Sequence, residues 1–202
     1  DTSALIYTSG TTGNPKGVEL THRNWEFELR VTDSIMQFKQ GEKYVSWLPL
    51  AHVFGQLVDN HYWVRNALHM YVVDNPLNVV DCAKDVQPHL FIGVPRIYEK
   101  IYSNIKAALD SKAILRFLLK TPGLSGIISK KLREKIGMAN CRFAITGAAP
   151  INPDILTLFH SLGIPIFEGY GMTEDTAGAT INYPKKNRIG TVGTPFEGTE
   201  IK

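Results

Sequence analysis

The chain has 202 residues, enough to bury one sizeable core, and its 44% hydrophobic and 20% charged residues exclude a disordered, collagen-like or coiled-coil chain. The formal net charge is +3, and no apolar run approaches the ~20 residues of a membrane-spanning helix, so neither nucleic acid nor a bilayer interior is expected as a partner. Cys82 and Cys141 stand far apart without metal-ligand spacing and read as free thiols of a reducing compartment, the cytoplasm being the expected location.

In chain order, short runs rich in Val, Ile, Tyr and Phe predict strands at 4–7, 44–48, 69–74, 90–94, 142–146 and 165–167. From Tyr44 onward they alternate with helix-like stretches at 53–67, 79–86, 96–120, 129–135 and 153–162. This alternation predicts an α/β fold, a mostly parallel sheet with helices on both faces. The last helix is the best punctuated, with Asn152 as cap, Pro153 at its first position and Gly163 as its stop. Ligands of such sheets bind beyond the carboxyl ends of the strands, which here means residues 49–55, 93–96, 147–150 and 168–174. Between Lys112 and Lys135, seven Lys or Arg face the single acid Glu134; the segment reads as a solvated helix face, with peripheral docking on a membrane surface as the alternative. The final EGTEIK, residues 197–202, reads as a strand, and Asp1 in place of Met suggests a piece of a longer chain.

The strongest local signal is YTSGTTGNPKGV, residues 7–18, preceded and followed by short apolar runs. Gly10, Gly13 and Gly17 permit sharply bent backbone, so several N–H groups can face one anion. Thr8, Ser9, Thr11 and Thr12 add hydroxyls, and Lys16 adds a mobile positive charge. The stretch fails as a Walker loop. Pro15 replaces the glycine before the lysine, Gly17 replaces the hydroxyl that holds magnesium, and Val18 to Leu20 alternates like a strand. A strand-loop-strand phosphate hairpin is expected; a bare hairpin tip is the alternative.

YTSGTTGNPKGV resembles the phosphate loop of the adenylate-forming superfamily of acyl-CoA synthetases, peptide-synthetase adenylation domains and luciferases. LPLAHVFG (48–55), GAAP (147–150) and GYGMTE (169–174) are similar to three further motifs of that superfamily, in the same order. GVPRIYEKI (93–101), followed by a long helical stretch, resembles the long-chain fatty-acid CoA ligases.

The resemblance implies part of the large N-terminal domain of an acyl-CoA synthetase, a partial AMP-binding domain. Its expected parts are a phosphate hairpin at 1–20, an α/β body at 21–183 and the start of a β-rich subdomain at 184–202. It implies ATP, Mg2+ and CoA as cofactor and co-substrates, and activation of a fatty acid to an acyl adenylate before transfer to CoA. Transfer to a carrier protein, or a nucleotide-binding module without chemistry of its own, are the alternatives. Thr173 is expected on the α-phosphate and Glu174 on magnesium, which favours one or two carboxylates plus phosphate oxygens; helix punctuation is the plainer reading of the pair. Gly147, Ala148, Ala149 and Pro150 are expected on one side of adenine, with Gly169, Tyr170, Gly171 and Met172 on the other.

The likeness also puts His52 at the mouth of the acyl pocket, whose walls are expected to include Val53, Phe54, Leu57, Val94 and Pro95. LAHVFG lacks the aspartate with which amino-acid-activating relatives meet an ammonium, and Asp59 lies at least a helical turn further on, which favours an apolar acid. The family's ribose-binding aspartate, hinge and C-terminal catalytic lysine correspond to positions after Lys202, so this stretch by itself is expected to be weakly active or inactive. Oligomeric state is not legible.

Overall fold

In the computed structural model, which describes residues 1–9, 13–111, 121 and 124–202, the central strands are buried on both faces. Along β5 (Leu90–Gly93) and β6 (Phe143–Thr146), Leu90, Ile92, Phe143 and Ile145 enter one core while Phe91 and Ala144 enter the other. In β7 (Ile166–Tyr170), Ile166 and Phe167 divide in the same way. A sheet apolar on both sides needs helices on both sides, and it has them.

The remaining strands are β1 (Thr2–Thr8), β2 (Lys16–Thr21), β3 (Lys43–Ser46), β4 (His69–Val72), β8 (Thr180–Ile181) and β9 (Thr194–Pro195). β1 and β2 form a separate antiparallel hairpin with Thr8 opposite Lys16. The main sheet has the order β4-β3-β5-β6-β7-β8-β9. Its strands pair in parallel as far as β7, and β8 and β9 close it in antiparallel pairs. The stretch expected to open a β-rich subdomain thus supplies an edge strand of this sheet.

One face is covered by α4 (Val79–Val86), α5 (Pro95–Ser111), α6 (Leu124–Lys135) and α7 (Pro153–Ser161). In α7 the Asn152 side chain accepts from the Asp154 amide at 2.9 Å, and Gly163 takes φ +77° just past the end. The other face is covered by α1 (His22–Met36) and by a continuous helical stretch made of α2 (Val53–Gln56), a π-helical segment (Leu57–Tyr62) and α3 (Trp63–Arg65). No described helix is long and apolar enough to cross a membrane.

Two expectations need correction, one helix was not foreseen, and one expected helix is described only in part. α1 was not foreseen: it is started by a reciprocal cap in which Thr21 Oγ1 accepts from the Asn24 amide and Asn24 Oδ1 accepts from the Thr21 amide, and it buries Trp25, Leu29, Thr32 and Met36 on one face. The helix expected at 53–67 is α-helical only at its ends. The helix expected to run from 96 is described only to Ser111, and residues 112–120 of the basic segment lie outside the described residues. Finally, residues 199–202 form no strand; a turn at Glu197 and Gly198 follows β9.

Candidate active site

The strand order β3-β5-β6-β7 sets four strand ends side by side, and the loops leaving them surround a cavity of about 550 Å³. Leu48 and Pro49 follow β3, Val94 follows β5, Gly147 and Ala148 follow β6, and Gly171 to Thr173 follow β7. The opposite wall comes from α1 and from the helical stretch that opens with α2, through Glu28, Thr32, Val53, Phe54 and Leu57. Most of the lining is apolar, and the volume falls within the ~300–1,000 Å³ usual for small-molecule sites.

Close backbone packing holds the rim in shape. A Cβ on Gly55 would stand 2.5 Å from the Pro49 carbonyl oxygen, and one on Gly171 only 1.9 Å from that of Ala177. The turn after β7 is tied by the Met172 amide donating to Asp175 Oδ1 at 2.8 Å and by the Ala177 amide donating to the Met172 carbonyl at 3.0 Å. Ala148 at φ +67°, Thr176 at +68° and Ala177 at +100° are non-glycine residues in left-handed backbone, strain of the kind that gathers at binding sites. Burial raises the carboxyl of Asp175, partly offset by the amide bonds it accepts.

The residues singled out from the sequence are distributed as follows. His52 lies at the N-cap of α2, exposed and without a capping bond, on the cavity wall with Val53, Phe54, Leu57 and Val94. Pro95 is buried as the first residue of α5, off that wall. Gly147, Ala148, Gly169, Tyr170, Gly171, Met172 and Thr173 line the cavity, with Tyr170 half-exposed at its edge. Ala149, Pro150 and Glu174 lie outside the lining, Glu174 exposed and free of hydrogen bonds or ion pairs among the described residues. Thr8, Ser9, Gly13 and Lys16 sit at the loop end of the hairpin, whereas Gly10, Thr11 and Thr12 lie outside the described residues. β2 packs against the 3-10 turn Thr173–Asp175, so the hairpin lies next to the Thr-Glu pair, of which Thr173 lines the cavity.

Residues 1–202 match the AMP-binding enzyme family along the whole chain. The chain belongs to that family. The chain is 34% identical to the long-chain-fatty-acid–CoA ligase ACSBG2 of Gallus gallus, across 96% of the chain and 30% of that protein. It is 33% identical to long-chain-fatty-acid–CoA ligase 6 of Mus musculus, across 100% of the chain and 32% of that protein. The chain therefore spans about a third of the length of these curated relatives. Among solved structures, the ATP-bound RpMatB-BxBclM chimera B3 superposes with a TM-score of 0.70 at 25% identity, across 97% of this chain and 34% of that one.

Among the cavity residues that no motif announced are three with polar side chains, Glu28, Tyr62 and Thr146. All three are buried, and their side-chain oxygens have no hydrogen-bond partner among the described residues. Burial, helped by the nearby charge of Asp175, pushes the Glu28 carboxyl up to about 9. Asp59, by contrast, is off the cavity wall; its Oδ2 accepts from Ser46 Oγ at 2.5 Å, and burial pushes its carboxyl up to about 7.

Proposed function

We propose that this chain carries the acyl-activating centre of an ATP-dependent fatty-acid–CoA ligase. The observation that carries the reading is the packing of β2, the second strand of the glycine-rich hairpin, against the turn Thr173–Asp175, whose Thr173 lines an apolar cavity at the carboxyl ends of parallel strands. An anion loop, a hydroxyl-carboxylate pair and an apolar chamber are the parts needed to bring a fatty carboxylate to a triphosphate.

In this reading Thr8, Ser9 and Lys16, with the Gly10–Gly13 stretch, hold the outer phosphates, and Thr173 donates to an α-phosphate oxygen. Adenine lies between Tyr170 and the small residues Gly147 to Ala149, where the absence of bulky side chains admits its ring. No cluster of three metal-ligating side chains exists among the described residues, and the single exposed carboxylate Glu174 suits magnesium shared with phosphate oxygens. When bound, magnesium supplies charge compensation on the phosphates. A carboxylate oxygen attacks the α-phosphorus, the bond to the bridging oxygen of the β-phosphate breaks, and pyrophosphate leaves with that oxygen's electron pair. The CoA sulfur then attacks the acyl carbon, and AMP departs. Positioning and electrostatics carry both steps, because both reactants of the first are anions.

The acyl chain occupies the cavity between the sheet, α1 and the helical stretch opening with α2, with His52 at its mouth. Each buried methylene adds about 0.8 kcal/mol. Fatty-acid-dependent exchange of pyrophosphate into ATP by the full-length protein tests the reading. Lys16→Ala and Glu174→Gln are expected to lower the exchange rate about 100-fold with little change in folding. Exchange that is independent of added fatty acid, or indifferent to both substitutions, overturns it.

A further inference from the structure

The cavity is not a plain hydrocarbon slot. On its α1 wall Glu28 is 1% exposed, with neither carboxyl oxygen hydrogen-bonded among the described residues. Thr32, one turn along on the same wall, already donates its hydroxyl to the Glu28 carbonyl at 2.8 Å and so offers no proton to the carboxyl. Gly178 makes room on the opposite side, since a Cβ there would stand 3.1 Å from Glu28 Oε2. A buried carboxyl in this state is left unsatisfied by a saturated hydrocarbon chain laid against it.

A ligand can resolve that. With its proton retained near neutral pH, the Glu28 carboxyl offers one donor and one acceptor, the complement of an alcohol. A substrate ammonium would instead require the buried group to ionise beside the like charge of Asp175. An uncharged oxygen on the acyl chain matches the site better.

We infer that the cavity is built for a carboxylic acid whose chain bears a hydroxyl or oxo group, and that Glu28 is the specificity-determining residue that meets it. The inference rests on the acyl-activating reading above and narrows its substrate class. Binding sites that hydrogen-bond a substrate hydroxyl discriminate strongly against the analogue lacking it, because the site's own polar group is then left bare.

The test uses the full-length enzyme and a series of monohydroxy fatty acids of one length, the hydroxyl moved along the chain, against the unsubstituted acid. At one hydroxyl position the wild-type enzyme is expected to show a kcat/KM for pyrophosphate exchange about tenfold above the unsubstituted acid. Glu28→Gln, which keeps a donor and an acceptor, retains that preference within about threefold, whereas Glu28→Leu brings the ratio to about one. The ratio within each variant reports selection and not folding, and the wild-type series needs no variant. Equal use of all the acids by an active wild-type enzyme overturns the inference and leaves acyl activation standing. A preference that survives in Glu28→Leu overturns it as well. If no fatty acid supports exchange, the acyl-activating reading falls and this inference with it.

Discussion

A carboxyl that has lost water without gaining a partner keeps its proton longer than one in the unfolded chain, and stability must register the difference. Glu28 is pushed from 4.5 up to about 9, so the folded state holds a proton that the unfolded state has released. Its contribution is complete below pH 4.5 and is lost as pH rises through 9, the reverse of a salt-bridged carboxylate. Glu28→Gln removes this titration and little else. Wild type and variant are expected to unfold at a constant offset below pH 4.5, with the wild-type midpoint falling progressively behind between there and pH 9 in urea or thermal melts. Parallel profiles across the range would show that the carboxyl is hydrated in the folded protein. Nothing at this position in the sequence announced the role. Glu28 stands among Arg23, Glu26, Arg30 and Asp33, a spacing that reads as a charged surface until Trp25 and Leu29 are seen to turn the same helix face inward. The place of Tyr170 and Thr173 on the cavity wall was legible because the first ends a strand and the second stands three residues beyond it, where the exit from the sheet leaves little choice of place.

At the scale of elements, the turn after β7 is where a small change has the largest reach. Gly171 admits no side chain, because a Cβ would meet the Ala177 carbonyl at 1.9 Å, and the backbone it would displace carries Met172, Thr173 and Glu174. Gly171→Ala is expected to cost about 2 kcal/mol of stability and to slow pyrophosphate exchange about 100-fold, the scale of a displacement near 1 Å in a reacting geometry. Gly126→Ala in α6 is the matched control: no atom of the described residues lies within 4 Å of the added methyl, and alanine favours the helix, so thermal midpoint and exchange rate should hold or rise. Equal behaviour of the two variants would remove the claim that this turn positions the site. Elements with their own punctuation were legible: α4 occupies its expected span, and α7 ends one residue short of it, at Ser161. α1 was hidden because its charged residues mask its apolar face, and its cap uses Asn24 where Glu or Gln would be the usual signal. The π-helical turn was hidden for another reason. A shift of hydrogen bonding from the i−4 to the i−5 carbonyl leaves no mark on composition, and it shows only in backbone bonds such as that from the Trp63 amide to the Val58 carbonyl.

For the molecule as a whole, the parallel sheet places its binding loops at one end of the strands and leaves the other end to be fastened by something else. Arg142, just before β6, is that fastening. Its guanidinium donates to both carboxyl oxygens of Glu42 at 2.7 and 2.9 Å, a partner 100 residues away in sequence. It also donates to the carbonyl oxygens of Met36 and Gln37 at the end of α1, at 3.3 and 3.1 Å, and covers the Phe38 ring. One side chain thus joins α1, the approach to β3 and the start of β6. Burial by itself would raise the Glu42 carboxyl, but the Lys39 amide and the hydrogen bond and charge of Arg142 outweigh it and hold the group below its ordinary value. The resulting stabilisation is therefore present above the unfolded value of 4.5 and is lost as pH falls through the depressed one. Arg142→Met keeps much of the packing on Phe38 while removing the charge and every donor. It is expected to lower stability by about 2 kcal/mol near neutral pH and by less in acid, where Glu42 is protonated in both proteins. Because the fastening stands at the amino ends of the strands, exchange measured well below the melting temperature with saturating ATP should proceed at the wild-type rate. A variant equally stable at neutral pH, or one that loses catalysis while still folded, would show that the two ends of the sheet are not mechanically separate in this way.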